Sequence, residues 1–334
     1  MLQSPDLHNA RVLITGGAGF IGSTLAFRLL ELGAQITLVD SLIPEYGGNL
    51  FNLTEFRQRL ELHISDVRDP HAMRHLIQGQ DFLFNLAGQT SHLDSMQDPM
   101  TDLDINGSAQ LSILEAVRRY NPKLRIVFAS TRQVYGRPAY LPVDEKHPIK
   151  PVDINGIHKI AAEEYHRLYG EVYGLACTSL RLTNTYGPGM RVRDARQTFL
   201  GIWIKQVITG VPIKVFGDGS QLRDFNFVED AVDAFIRAAI FPEAKGRVLN
   251  LGSSEVISLI DLASLVCEVN GSGRAELMPF PADRKNIDIG DYYSDYQLAK
   301  DILNWRPTIP LREGIERTLA FYRRNAEHYW EITE

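Results

Sequence analysis

Along the first half of the chain, short apolar runs rich in β-branched residues alternate with longer stretches whose apolar positions recur every three or four residues. That is the pattern of strand-helix-strand units on a parallel sheet. The runs predict strands at Arg11 to Thr15, Gln35 to Val39, Leu60 to Ile64, Phe82 to Leu86, Arg125 to Ala129 and Ala176 to Leu182. The longest helical stretches fall near Asp98 to Tyr120 and Ile157 to Tyr173. After about residue 185 the rhythm changes, with Tyr186-Gly187-Pro188-Gly189 and Phe216-Gly217-Asp218-Gly219 punctuating shorter elements. The expected class is α/β: a parallel sheet built mainly by residues 1–183 and a smaller lobe built mainly by residues 184–334. No repeat, low-complexity tract or Pro/Ser-rich linker separates the two.

Composition narrows the function classes. With 334 residues and 44% hydrophobic content, the chain can bury a large core. Its 35 basic and 41 acidic residues leave a net charge of -6, without the basic footprint that nucleic acid needs. Cys177 and Cys267 stand far apart with no histidine pairs nearby, which argues against a disulfide framework and against a metal site. The N-terminal stretch lacks a basic segment followed by an apolar one, and no run approaches the ~18 to 20 apolar residues of a membrane span. The default expectation is a cytoplasmic protein that binds neither membrane nor nucleic acid.

Candidate chemistry begins at Val12-Leu13-Ile14-Thr15-Gly16-Gly17-Ala18-Gly19-Phe20-Ile21-Gly22, an apolar strand running through a glycine turn into an amphipathic helix. In this pattern Gly16 permits the tight turn, Gly19 lets the backbone approach a pyrophosphate and Gly22 lets the helix pack on the strand. The helix N-terminus at Phe20 and Ile21 then faces the phosphate charge. The second strand ends in Asp40, whose carboxylate can accept hydrogen bonds from ribose hydroxyls. Ser41-Leu42 follows without the arginine that would welcome a 2'-phosphate. The cofactor expected is therefore NAD.

These residues open an ordered set of motifs along nearly the whole chain. It continues with Asp66-Val67, Leu86-Ala87-Gly88, Ile105-Asn106-Gly107 and Ser130-Thr131-Arg132-Gln133-Val134-Tyr135-Gly136, then Lys159 and Arg181-Leu182-Thr183-Asn184-Thr185-Tyr186-Gly187-Pro188. Phe216 to Phe225 and Leu303-Asn304-Trp305-Arg306-Pro307 complete it. The set resembles the extended short-chain dehydrogenase/reductases of the NAD-dependent nucleotide-sugar epimerase/dehydratase group. The resemblance implies a Rossmann-type doubly wound parallel sheet with a C-terminal substrate lobe and a nucleoside-diphosphate sugar lying between them. It also implies that Asp66 and Val67 serve the adenine, that Leu86, Ala87, Gly88 and Asn106 line the cofactor site, and that the chain forms a homodimer through the helices near 98 to 120 and 157 to 173. Leu111, Leu114 and Val117 fit either that interface or the core. For the substrate diphosphate, Arg223 and either Arg284 or Lys285 can supply charge-assisted bonds, and Asn184 can bond a phosphate or hydroxyl. Arg223 can equally pair with Asp224. Arg191, Arg193 and Arg196 read as surface charge.

The informative departure falls at the catalytic position. The family places a tyrosine four residues before its lysine, and Asn155 occupies that place ahead of Lys159. A carboxamide does not ionise near neutral pH, so it cannot be the general base, and losing such a group costs roughly 10² to 10⁴ in rate. Lys159 is the best-placed replacement, since burial and the positive nicotinamide ring both lower its pKa. Thr131 stands at the family's Ser/Thr position and can bond the reacting oxygen. His92 follows the Leu86-Ala87-Gly88 strand end and carries an imidazole, the side-chain group suited to acid/base work near neutral pH, although a structural role suits it as well. His158 points about 100° away from Lys159, and Tyr135 and Tyr165 read as packing residues.

A second departure concerns the reaction. Nucleotide-sugar 4,6-dehydratases carry acidic residues directly after the threonine, where this chain has Arg132 and Gln133. Epimerisation through a transient keto sugar moves ahead, with dehydration or another oxidoreduction as alternatives. From a different class, a cofactor-bound sensor or scaffold that has lost the chemistry also fits Asn155.

Overall fold

The computed structural model describes residues 7–194, 196, 198–281 and 285–331. Over these residues the central sheet has seven strands, all parallel. Strand β1 (Arg11–Thr15) lies between β2 (Gln35–Asp40) and β4 (Phe82–Asn85), and β3 (Glu61–Ile64) forms one edge. Strands β5 (Arg125–Thr131), β6 (Ala176–Leu182) and β10 (Val248–Asn250) continue to the other edge, so the order is β10-β6-β5-β4-β1-β2-β3. The predicted strands are present, two with the expected bounds and four with one end shifted by one or two residues. The exception in kind is β10, a three-residue piece too short to show periodicity.

Alternation along β1 explains the layers. Val12 and Ile14 point into a cluster with helices α1 (Phe20–Glu31) and α8 (Val228–Ile240), while Leu13 points into another with α2 (Pro70–Ile77), α5 (Ala109–Tyr120) and α6 (Ile154–Tyr173). A strand covered on both faces must be apolar at successive positions, which is why β4 reads Phe-Leu-Phe and is buried throughout.

The helical stretch expected from Asp98 to Tyr120 is interrupted. After α3 (His92–Gln97) and α4 (Pro99–Leu103), residues Asp104–Ser108 form a π-turn before α5 begins. Gln110 holds it by donating to the Ile105 carbonyl at 3.0 Å while accepting from the Asn85 amide at 2.6 Å. The second stretch starts three residues earlier than expected. Asp153 caps α6 by accepting from the Gly156 N–H at 2.7 Å, and its carboxylate takes the place of the missing intrahelical acceptor.

The later half adds β7 (Asn184–Tyr186), β9 (Leu222–Phe227) and β11 (Val256–Ser258) in a three-stranded sheet, and a parallel pair β8 (Ile213–Phe216) and β12 (Ala275–Met278). Helices α7 (Phe199–Ile208), α9 (Leu259–Asn270), α10 (Gln297–Leu303) and α11 (Leu311–Asn325) cover them. Elements here are not uniformly shorter: α8 has 13 residues and α11 has 15, against 12 in α1. The glycines and prolines mark turns between elements without limiting their length. One apolar cluster runs from α1 and α8 through Trp203 and Leu262 to Trp305 and Ile315, and β10 and α8 return to the large sheet.

Candidate active site

Strand order reverses at the β1/β4 junction, and the crevice beyond the carboxyl ends of such strands is where α/β sheets bind ligands. Thr15 joins the two strands there. Its hydroxyl donates to Asn85 Oδ1 at 2.9 Å and accepts the Leu86 and Ala87 N–H groups, both at 3.0 Å. This draws Gly16, with φ +68°, so near the β4 end that a Cβ would sit 3.1 Å from the Ala87 nitrogen. At Gly22 a Cβ would collide with the Gly16 carbonyl oxygen. Gly19 begins α1 with no side-chain cap, so the N–H groups of the first turn open on the crevice.

The cavity there is bounded by Gly16, Gly19, Phe20, Ile21 and Gly22, by Asp40 at one end with Asp66 and Val67, and by Leu86, Ala87 and Gly88 along its floor. Thr131, Asn155, Lys159, His92 and Asn184 close the other end. Asn106 stands behind the wall, fully buried, with its Oδ1 2.9 Å from where a Gly88 Cβ would be. Asp40 accepts from the Ala18 N–H at 3.0 Å and the Leu42 N–H at 2.8 Å. Burial raises its pKa and those two bonds oppose the rise. An uncapped helix start, a glycine turn in which a Cβ at Gly16 or Gly22 would crowd backbone atoms, and a fixed carboxylate at the second strand end fit NAD.

At the other end, Lys159 Nζ donates to the Ala129 carbonyl at 3.2 Å and lies 5.1 Å from the centre of the Phe128 ring. Burial pushes its pKa down to about 8, and the Asp102 charge resists. Asn155 sits one helical turn before Lys159, but its amide is committed: Nδ2 donates to the Gln89 carbonyl at 2.8 Å and to Asp102 Oδ2 at 3.1 Å. Asp102 is fully buried and also accepts from Asn106 Nδ2 at 3.1 Å, with His158 Nδ1 2.7 Å from its other oxygen. This network was not legible beforehand, because it joins α4, the π-turn and α6 through residues 53 and 56 positions apart. Asp153 was missed for a smaller reason, the late expected start of α6. An aspartate three residues before a helical glycine is the signal that would have found it.

The basic residues rearrange the substrate end. Arg223 does not line the cavity. Its guanidinium donates to the Leu222 carbonyl at 2.8 Å and the Gly290 carbonyl at 2.5 Å, and its nearest carboxylate is Asp288 at 3.9 Å. It does not pair with Asp224, since consecutive strand residues face opposite sides; that carboxylate accepts from the Thr183 hydroxyl at 2.5 Å and the Ser294 N–H at 3.1 Å. Besides Lys159, the cation among the described lining residues is Arg132, whose Nη2 donates to Asn184 Oδ1 at 2.9 Å and whose buried Nη1 has no hydrogen-bond partner among the described residues. Arg284 lies outside the described residues. Arg191, expected at the surface, is buried against Asp194, and Arg196 reaches Asp94 on α3 at 2.9 Å.

Fold and cavity together define a dinucleotide-dependent enzyme of the Rossmann type. Residues 12–252 match the model of the NAD dependent epimerase/dehydratase family, and the chain belongs to that family. It is 31% identical over 318 residues to the UDP-glucose 4-epimerase of Mycolicibacterium smegmatis, covering 95% of this chain and 100% of that one. It is also 31% identical over 330 residues to UDP-glucuronic acid decarboxylase 1 of Xenopus tropicalis, covering 95% and 73%. Among solved structures, UDP-glucose 4-epimerase of Thermotoga maritima with UDP-glucose superposes with a TM-score of 0.87 at 28% identity, covering 95% of this chain and 99% of that one.

Proposed function

We propose that this chain epimerises a nucleoside-diphosphate sugar in the cytoplasm through a transient keto sugar. When bound, NAD supplies a reversible hydride acceptor. The residues at the opposite end hold the sugar: Thr131 and Lys159 at the reacting hydroxyl, with Arg132 and Asn184 toward the anionic part of the substrate. Thr131 caps the turn after β5, its hydroxyl accepting from the Gln133 N–H at 3.2 Å, which keeps it at the strand end beside Lys159. The observation that carries the reading is the single cavity joining the cofactor cradle to Thr131 and Lys159 with no acidic side chain after Thr131. Gln133 there is engaged, its amide donating to Asp153 at 2.9 Å. Removing water from a sugar needs an acid at that place; inverting a carbinol carbon does not.

The test is turnover of a panel of nucleotide sugars carrying deuterium on the ring carbons. Epimerisation by way of a ketone returns the label to its own carbon, and the product differs only in configuration. Solvent hydrogen at the inverted carbon would point to deprotonation next to a carbonyl, and loss of water or carbon dioxide would assign a different reaction. The apolar positions Ile157, Leu168 and Val172 recur along the exposed face of α6 beside α5, which supports a homodimer built on these two helices.

A further inference from the structure

With the tyrosine position filled by an asparagine whose amide is committed elsewhere, some other group must carry the sugar's hydroxyl proton. We propose that His92 is that acid/base, with Asp153 as its positioning residue, a dyad entering the cavity from α3 where the family uses α6. The inference rests on the epimerase reading for its substrate but not for its geometry.

The backbone beneath His92 is fixed. Ser91 caps α3 by accepting from the Asp94 N–H at 3.1 Å, and the Ser95 hydroxyl donates to the His92 carbonyl at 2.8 Å. That same Ser95 oxygen accepts the Asn155 N–H at 3.2 Å, tying α3 to the first turn of α6. His92 Nδ1 lies 3.0 Å from Asp153 Oδ2, turned off the line of a straight hydrogen bond, and has no other partner among the described residues. The Asp153 side chain is fully buried and doubly held, by the Gly156 N–H at 2.7 Å and the Gln133 amide at 2.9 Å. Burial acts to raise its pKa, yet His92, Gly156 and Gln133 hold it below the ordinary carboxylate value. The imidazole itself is 35% exposed and lines the cavity with Thr131 and Lys159. One ring nitrogen thus faces a fixed carboxylate, and the ring reaches the space where the sugar lies. This is the geometry in which a carboxylate sets the tautomer and stabilises the imidazolium.

In the oxidative half of the cycle the O–H bond of the sugar carbinol breaks and its proton passes to Nε2, while NAD, once held by the glycine turn, would supply the acceptor for the hydride on the same carbon. A C=O bond forms from the O–H electron pair. In the return half Nε2 gives the proton back to oxygen, and the same cofactor would supply the hydride to the opposite face of that carbon, so nothing is consumed. Lys159, which also lines the cavity, supplies positive charge to the developing alkoxide, and Asp94 in the first turn of α3 is paired with Arg196 at 2.9 Å.

Two measurements test this. In the protein without substrate, the long-range nitrogen-proton spectrum of His92 should show a downfield Nδ1–H that is lost in Asp153→Asn. Asparagine still caps α6, so the fold survives. In turnover, His92→Gln should lower kcat about 100-fold or more with KM within about threefold and NAD binding intact, and added imidazole should restore part of the activity of His92→Ala. A kcat for His92→Gln within about threefold of the parent, or an Nδ1 signal indifferent to Asp153→Asn, overturns the dyad. If the parent protein converts no nucleotide sugar while the Nδ1 signal still answers to Asp153, the epimerase reading fails and the dyad stands.

Discussion

Lys159 is the residue on which the fold and the chemistry make opposite demands. Its ammonium is buried against Phe128 and titrates at about 8, whereas the unfolded chain releases that proton near 10.5. Between these values the unfolded state binds more protons, so stability rises with pH across that window; below about 8 the buried charge weighs on the fold in full. Lys159→Met should therefore be more stable than the parent at pH 7 in urea unfolding, by roughly 3 kcal/mol at most. That advantage should fade as pH climbs toward 10.5, and turnover should be lost at every pH. Equal stability of the two proteins at pH 7 would contradict a charged, buried Lys159. Asn155 shows how far single residues were legible. Its identity is plain in the sequence and excludes a base, but its commitment to Gln89 and Asp102 depends on two other segments arriving beneath it.

The glycine turn and α1 form an element whose function depends on atoms that are missing. A methyl group at Gly22 meets the Gly16 carbonyl oxygen and must push either the helix or the turn. Gly22→Ala should leave the circular dichroism spectrum unchanged and weaken NAD binding at least tenfold by titration calorimetry, about 1.4 kcal/mol or more. Unchanged affinity would mean that close packing of α1 on the turn does not set the cofactor site. This element was legible because its information is local: strand period, glycine spacing and helix period all lie within residues 11–31. The stretch from 98 to 120 was less so. Its helical period is real, but the π-turn at Asp104–Ser108 comes from Gln110 meeting both Asn85 and Ile105, and a period count has no access to a contact 25 residues away.

For the whole molecule, the sharpest expectation concerns assembly. Leu114 and Val117, ambiguous in the sequence, are fully buried against the sheet, whereas Leu111 on α5 and Ile157, Leu168 and Val172 on α6 are from 36% to 60% exposed. An apolar stripe of that kind favours burial by a second copy. The protein should sediment as a dimer, and the double substitution Leu168→Asp with Val172→Asp should give a folded monomer; a monomeric parent would remove the proposal. The sequence alone determined the parallel sheet, the NAD-type turn, Asp40 and the absence of the tyrosine, since each is written in residues adjacent in the chain or at fixed helical spacing. Only the tertiary structure decided that Arg132 and not Arg223 faces the cavity, that Asp102 lies beneath Asn155, and that Asp153 meets His92. Those pairings join elements distant in the chain, and burial and side-chain direction at such junctions are fixed by packing, which no local pattern encodes.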